Sequence, residues 1–365
     1  MANPDVLILG GGIIGCSLAV ALSQERLRLV VVERGRPGEE ASGAAAGMLA
    51  PTSEPDSAPE LASLAAASAA LYPGWVEQLR EKTSLEVGYR SEGTLVVATQ
   101  ESEERILQDL PGEKLRGDQL RKLEPALSDR IRAGCYLPGD HQVDNRRLMQ
   151  ALVEAATRAG VEFRTGSTVA RLWIEADRAR GVGLEDGTSL ASGLVVNAAG
   201  CWAGRFPEVG SRLTPTRPIR GQMIRLASAK NGGKALLRHV VRSPRAYLVP
   251  RTSGEVLVGS TMEDAGYEKK VTARALGALI GAGLEIAPGL AELPFAEAWA
   301  GLRPDTPDHL PILGATDVEN YFVATGHFRN GILLAPITAR LLTQVILGRK
   351  PELPLEPFSP LRFAK

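Results

Sequence analysis

The first thirty-three residues constrain the chain more than any other stretch. Asp5-Val-Leu-Ile-Leu9 is a short apolar run that opens directly into Gly10-Gly-Gly-Ile-Ile-Gly15. A helical stretch, Ile14 to Gln24, follows, and a second apolar run, Leu27 to Val32, ends on Glu33. Strand, glycine turn, helix and strand, closed by an acid 18 residues beyond Gly15, make the arrangement that grips a dinucleotide. Gly10 permits the sharp turn, Gly12 lets backbone approach a pyrophosphate, and Gly15 lets helix and strand pack closely. The helix start offers N–H groups and positive dipole to phosphate, and Glu33 can accept from a ribose hydroxyl. Glycine turns are common, so the weight rests on the two flanking strands and on the acid in register. The turn by itself does not separate NAD from FAD.

A chain of 365 residues exceeds what one hydrophobic core usually serves, so two domains are expected. Net charge is zero, which argues against nucleic acid and anionic membrane as partners. Cys16, Cys135 and Cys201 lie far apart and show neither a disulfide framework nor metal-ligand spacing, so no metal is expected. The first strand begins by Asp5, which leaves no room for a signal peptide. The late apolar stretch Gly331 to Leu347 carries Arg340 and Gln344 and reads as a core helix, not a membrane span. A soluble, cytoplasmic protein fits these features.

After Glu33 a polar loop from Arg34 to Ala41 leads into Ser42-Gly-Ala-Ala-Ala-Gly-Met-Leu-Ala-Pro51. Small side chains there allow backbone to lie flat against a large planar group such as an isoalloxazine. Glu60 to Lys82 has a helical apolar period, and Tyr72-Pro73-Gly74 should break or kink it midway. Residues 94–98 read as a strand, 101–110 and 117–127 as helical pieces. Asp144 can cap a helix over 145–159. Strands follow at 161–163 and 167–174, a hairpin turns at Asp186-Gly187, and 193–200 forms another apolar strand ending on small residues. Residues 217–300 are strand-rich, with one helix near 272–284. The chain closes with a strand at 321–324 and the helix from Gly331, where Pro336 is expected in the first turn. The reading is an α/β, overall α+β, chain. A Rossmann-type nucleotide domain occupies 1–82, 142–216 and 301–365, and an antiparallel-sheet substrate domain occupies 83–141 and 217–300.

Five separated motifs carry a family resemblance: Gly10–Gly15, Ala-Ala-Gly-Met-Leu of 45–49, Val-Asn-Ala-Ala-Gly-Cys-Trp of 196–202, Trp-Ala-Gly-Leu-Arg-Pro of 299–304 and Gly-His-Phe-Arg-Asn-Gly-Ile-Leu-Leu-Ala-Pro of 326–336. From about residue 4 to residue 350 the chain resembles glycine oxidase of the ThiO type, in the FAD-dependent D-amino-acid oxidase and sarcosine oxidase group. The resemblance implies noncovalent FAD and oxidative deamination of glycine, sarcosine or D-alanine to imine, then glyoxylate and ammonia, with hydrogen peroxide from oxygen. It also implies a role in supplying iminoglycine to a thiazole synthase for thiamine, and a homo-oligomer, typically a homotetramer. Position by position it implies Arg303 as the carboxylate-binding arginine, Arg329 as a second cation, Tyr247 as the pocket tyrosine, and Met48 and Met262 as apolar walls. For the cofactor it implies Gly10, Gly12, Ile14, Gly15, Glu33, Arg34, Ala41, Ser42, Ala46, Gly47, Met48 and Val169. Ala199, Gly200 and the run His327, Phe328, Arg329, Asn330, Gly331, Ile332 and Leu333 complete that set. Arg245 departs from the family pattern, which has a histidine two residues before the tyrosine.

The residues speak with different strength when taken without the family. Trp299, Gly301, Leu302 and Pro304 surround Arg303 with groups seldom used to line open water, and a guanidinium matches a carboxylate bidentately. Arg329 could simply pair with an acid, and Tyr247 is by default a core tyrosine of a strand. His327 can hold a turn by hydrogen bonds and is not read as a base. His141, His239 and His309 carry no assignable role. No histidine or carboxylate stands beside Arg303 or Tyr247 in sequence, so no protein base is expected at the substrate carbon. Two other activities use the same parts: a D-amino-acid dehydrogenase with a non-oxygen acceptor, and a flavin-binding domain acting in tRNA modification.

Overall fold

Val6–Leu9 and Leu29–Val32 are apolar throughout and buried at every position, so both need partners on either side and layers on both faces. They find them in a six-stranded sheet ordered Ile312–Ala315, Tyr321–Thr325, Leu194–Asn197, Val6–Leu9, Leu29–Val32, Glu162–Arg164. Five strands run parallel and Ile312–Ala315 is antiparallel at the edge. The computed structural model describes residues 3–53, 58–209, 212–228 and 235–364. One face of this sheet is covered by the helices Ile13–Leu22, Pro59–Thr83, Asn145–Arg158 and Gly331–Ile346. The other face packs on a three-stranded antiparallel sheet that includes Val169–Glu175 and the Asp186-Gly187 hairpin.

A second sheet has eight strands, in the order Phe295–Asp305, Arg217–Leu226, Val256–Gly259, Tyr247–Pro250, Val240–Arg242, Thr94–Ala98, Ala133–Leu137, Glu113–Arg116. All its pairings are antiparallel except that of Val240–Arg242 with Thr94–Ala98. The helix Ala273–Ile286 covers one face. On the other face a small cluster of Met223, Val240, Val249, Leu257, Tyr247 and Trp299 packs against Ala46 and Met48. That cluster is where the glycine- and alanine-rich segment after Ser42 meets the eight-stranded sheet.

Three expectations need correction. The helix Pro59–Thr83 runs unbroken through Pro73. Tertiary contacts override the local break: Tyr72 is fully buried, and Tyr72 and Ser68 donate to the carbonyls of Ile332 and Leu333 on the last helix. Pro336 sits in the second turn of Gly331–Ile346, not the first. The amide it lacks would have served Ile332 O, and the Tyr72 hydroxyl serves that carbonyl instead. Finally, the strand holding Trp299 begins at Phe295 and ends at Asp305, so it crosses residue 300 without interruption.

Candidate cofactor and substrate site

A cavity of about 730 Å3 lies between the two sheets and takes its lining from both. Its nucleotide end is built mostly of backbone. Gly10 has φ +104°, and a Cβ there would stand 2.6 Å from the carbonyl oxygen of Ala198, the residue just past the neighbouring strand Leu194–Asn197. A Cβ on Gly15 would meet Gly10 O at 2.0 Å, which explains the third glycine as a packing requirement, although Gly15 does not itself line the cavity. Glu33 accepts from the amides of Gly11 and Gly35, both at 2.8 Å, and keeps lone-pair sites toward the cavity it lines. At the first helix the Ile13 amide is taken by Ser42 Oγ at 2.8 Å, while Gly12 and Ile14 line the cavity. Arg34 lies over the Trp202 ring with its guanidinium carbon 3.7 Å from the centroid, and pairs with Glu40. Ala41, Ser42, Ala46, Gly47, Met48, Val169, Ala199 and Gly200 line the same end or its continuation.

The N-terminus of Gly331–Ile346 closes the cavity with His327, Phe328, Arg329, Asn330, Gly331 and Ile332. Leu333 packs its side chain into the helical core, and its backbone belongs to the first turn of the same helix. His327 is 3% exposed, its Nε2 lies 3.0 Å from Thr338 Oγ1, and burial pushes its pKa down to about 3. It is therefore a neutral fixture of the turn at ordinary pH. Phe328 holds φ +47° with its amide on Pro304 O at 2.9 Å, which ties this turn to the strand of Arg303.

The substrate end is built of side chains laid over missing ones. Gly259 pairs with Tyr247 across the sheet and Gly221 pairs with Gly301. A Cβ on Gly221 would stand 2.3–2.5 Å from the Arg303 guanidinium, and one on Gly259 would stand 2.6 Å from the Tyr247 ring. Each glycine makes the room its neighbour occupies. Arg303 donates to Thr261 O at 3.1 Å and Ser260 Oγ at 2.6 Å. Thr261 is fixed in turn by Glu263, which also accepts from Gln222 Nε2 at 2.8 Å and from Arg220. Among the described residues, the Tyr247 hydroxyl meets Met223 Sδ, at 3.6 Å. Met48 and Met262 both line the cavity, but Met262 is 65% exposed and stands at the rim. Arg329 is exposed, 5.4 Å from the Phe328 ring centroid. Arg245 lies at the cavity edge and pairs with Glu285 of the covering helix.

Sequence reading missed Gly221, Gly259, Ser260 and Thr261. A glycine inside a strand marks close approach of another group, so Gly221 within Arg217–Leu226 was a usable signal; Ser260 and Thr261 offered none. It also assigned nothing to His309. His309 Nδ1 lies 2.6 Å from Asp305 Oδ1, and Asp305, fully buried, also accepts from Arg217 Nε at 2.9 Å. That pins the end of the strand carrying Arg303.

A dinucleotide end built on glycine turn and helix start, joined within one cavity to an arginine pocket, defines a nucleotide-cofactor oxidoreductase. The FAD dependent oxidoreductase family matches residues 5–345, and the chain belongs to it. The chain is 36% identical to a bifunctional protein ThiO/ThiG of Trichormus variabilis over 99% of its own length. It spans about half of that relative, 55% of its length. To a glycine oxidase of Geobacillus kaustophilus it is 33% identical, covering 97% of this chain and 96% of the relative. The crystal structure of glycine oxidase from Geobacillus kaustophilus superposes with a TM-score of 0.92 at 31% identity, covering 98% of each chain. The cofactor is FAD. The residues fit it: the Gly10 cradle leaves no space for a side chain, Glu33 faces the cavity with acceptor capacity, and the Ser42–Gly47 wall is made of small side chains.

Proposed function

We propose that the protein oxidatively deaminates glycine, and small N-alkyl or D-amino acids such as sarcosine and D-alanine, to imine with oxygen as the electron acceptor. The carrying observation is Arg303: a guanidinium, held by Ser260 and Thr261 over Gly221, within the cavity whose other end is the glycine turn. The relatives named glycine oxidase support the same substrate class. FAD, when bound, supplies the two-electron acceptor for the hydrogen leaving the substrate's α-carbon. Arg303 binds the carboxylate and so fixes where that carbon sits. The positive end of Gly331–Ile346 stabilises negative charge placed beside it. Among the described residues lining the cavity, the carboxylates are Glu33, Glu40 and Glu185, none of them on the eight-stranded sheet. His327 is occupied by Thr338. The substrate nitrogen's lone pair therefore assists loss of hydrogen, with no protein base at the α-carbon.

Oxygen uptake with glycine as sole substrate, with peroxide formed in equal amount, is the expected result. Reduction without oxygen uptake would mean a dehydrogenase, and no reduction by any small amino acid would leave a binding role such as tRNA modification. We take the flavin to be held without a covalent bond, as in the family resemblance: Cys201 lines the cavity, and burial first and Glu40 second push its thiol up to about 12, which disfavours the thiolate. Acid precipitation should leave the yellow colour in solution. Sheet membership supports the two-domain division, with its last boundary moved to follow Asp305. Hand-over of the imine to a thiazole synthase in the cytoplasm, and a homotetrameric state, complete the proposal. A relative described as bifunctional and nearly twice as long agrees with the first. Rescue of a thiamine auxotroph lacking glycine oxidase, and light scattering on the purified protein, test the two.

A further inference from the structure

Behind the cavity wall lies a buried cation that the chemistry above does not use. Arg251 directly follows the strand Tyr247–Pro250 and is 6% exposed. Its Nη1 donates to Val143 O and its Nη2 to Asn145 Oδ1, both at 2.8 Å. Both acceptors are neutral. Burial pulls the guanidinium down to about 10, offset in part by Asp144, so it stays charged at neutral pH. A buried charge on neutral acceptors is a costly way to gain stability. What the planar fork gives is two donors at a fixed spacing.

Each acceptor leads to one end of the cofactor wall. Asn145 Nδ2 donates onward to Ser42 O at 2.7 Å and Gly43 O at 3.1 Å, and Ser42 Oγ receives the Ile13 amide at the start of the first helix. Val143 N donates to Gly47 O at 2.8 Å. The Val143 carbonyl that Arg251 holds lies so close behind Gly47, which has φ +76°, that a Cβ there would come within 2.0 Å of it. Arg90 Nη1, on Pro250 O at 3.4 Å, and the hairpin bond from Arg251 N to Glu255 O hold the arginine's own backbone. We propose that Arg251 is a positioning residue for FAD: from the substrate-side sheet its two donors set both ends of the Ser42–Gly47 wall, and through Ser42 the first turn of the nucleotide helix. The two halves of the cavity are thereby held in one frame.

The test uses holoprotein and no substrate, so it stands apart from the amino-acid reading. Free FAD is measured by fluorescence on dilution, and melting is compared with FAD at the same multiple of each variant's own Kd, where binding contributes equal stabilisation. Asn145→Asp keeps an acceptor for Arg251 and gives it an ion pair, but loses the donor to Ser42 and Gly43. FAD should bind about tenfold more weakly, about 1.4 kcal/mol, with melting unchanged or raised. Arg251→Met should lose more FAD affinity, and Arg251→Lys should recover part of it. If Arg251→Met does not fold, Asn145→Asp decides alone. A change in its FAD affinity under threefold, or a fall in melting temperature to match a larger one, overturns the proposal.

Discussion

The two ends of the cavity are made of different material. The nucleotide end is backbone: a turn at Gly10, amides at Gly12 and Ile14, and a wall of glycine and alanine from Ser42 to Gly47. The substrate end is side chain: Arg303 and Tyr247 lie across a sheet on spaces left by Gly221 and Gly259. Backbone cannot give way without moving strands, whereas a guanidinium at the end of a flexible stem can. Substitution at the first end should therefore remove the cofactor, and at the second should alter substrate handling while the cofactor stays.

Gly10→Ala carries the largest expected effect. The new Cβ meets the Ala198 carbonyl and demands a positive φ from an L-residue, and neither neighbour is flexible. FAD affinity should fall by roughly a hundredfold, given strain of about 1–3 kcal/mol and tenfold per 1.4 kcal/mol, measured by equilibrium dialysis. A variant that keeps FAD but loses glycine would break the comparison. Arg303→Ala comes next. A charge-assisted hydrogen bond is worth about 1.5–3 kcal/mol, so the KM for glycine should rise at least about tenfold with flavin absorbance intact. Arg303→Lys should recover only part. A parent-like KM in Arg303→Ala would remove Arg303 from the site.

The same contrast sets what could be read from the chain. Backbone geometry is written in glycine spacing, so the turn, the helix start and Glu33 were legible from residues 5–33 without any relative. Arg303 drew some weight from its neighbours Trp299, Gly301, Leu302 and Pro304, but Arg329 and Tyr247 were separable from ordinary strand and turn residues only through the family motifs, because a long side chain's destination depends on sheet register. Gly221–Gly301 and Tyr247–Gly259 are such register facts. Pro73 and Pro336 misled for a related reason. Local rules price a missing amide, but Tyr72 repairs the gap at Ile332 from 260 residues away in the chain.

Gly221→Ala sharpens the comparison further because it changes no functional group. The added methyl would stand 2.3–2.5 Å from the Arg303 guanidinium, the movable end of its side chain, so the arginine should shift and the strand should not. Melting temperature and FAD affinity should stay near those of the parent, while the KM for glycine rises several-fold, roughly half the free-energy effect expected for Arg303→Ala. Loss of FAD from this variant would mean that the substrate-side sheet, and not the glycine turn, governs the cofactor.

The smallest effect is expected from Tyr247→Phe, and it tests the chemistry and not only the placement. Removing the hydroxyl deletes a contact to Met223 Sδ at 3.6 Å, a weak acceptor, and leaves the ring over Gly259 in place. A neutral hydrogen bond at the low end of its range is worth about 0.5 kcal/mol, so anaerobic flavin reduction by glycine should slow by no more than about two- to threefold. Fully deuterated glycine should show a primary isotope effect on the same absorbance trace, in parent and variant alike, because the α-carbon bond breaks without a tyrosine proton in play. The carboxylate grip proposed for Arg303 is the same in both enzymes, so the two isotope effects should match. A Tyr247→Phe enzyme that glycine cannot reduce would make the hydroxyl an essential acid or base, and catalysis by positioning and a helix terminus alone would be wrong.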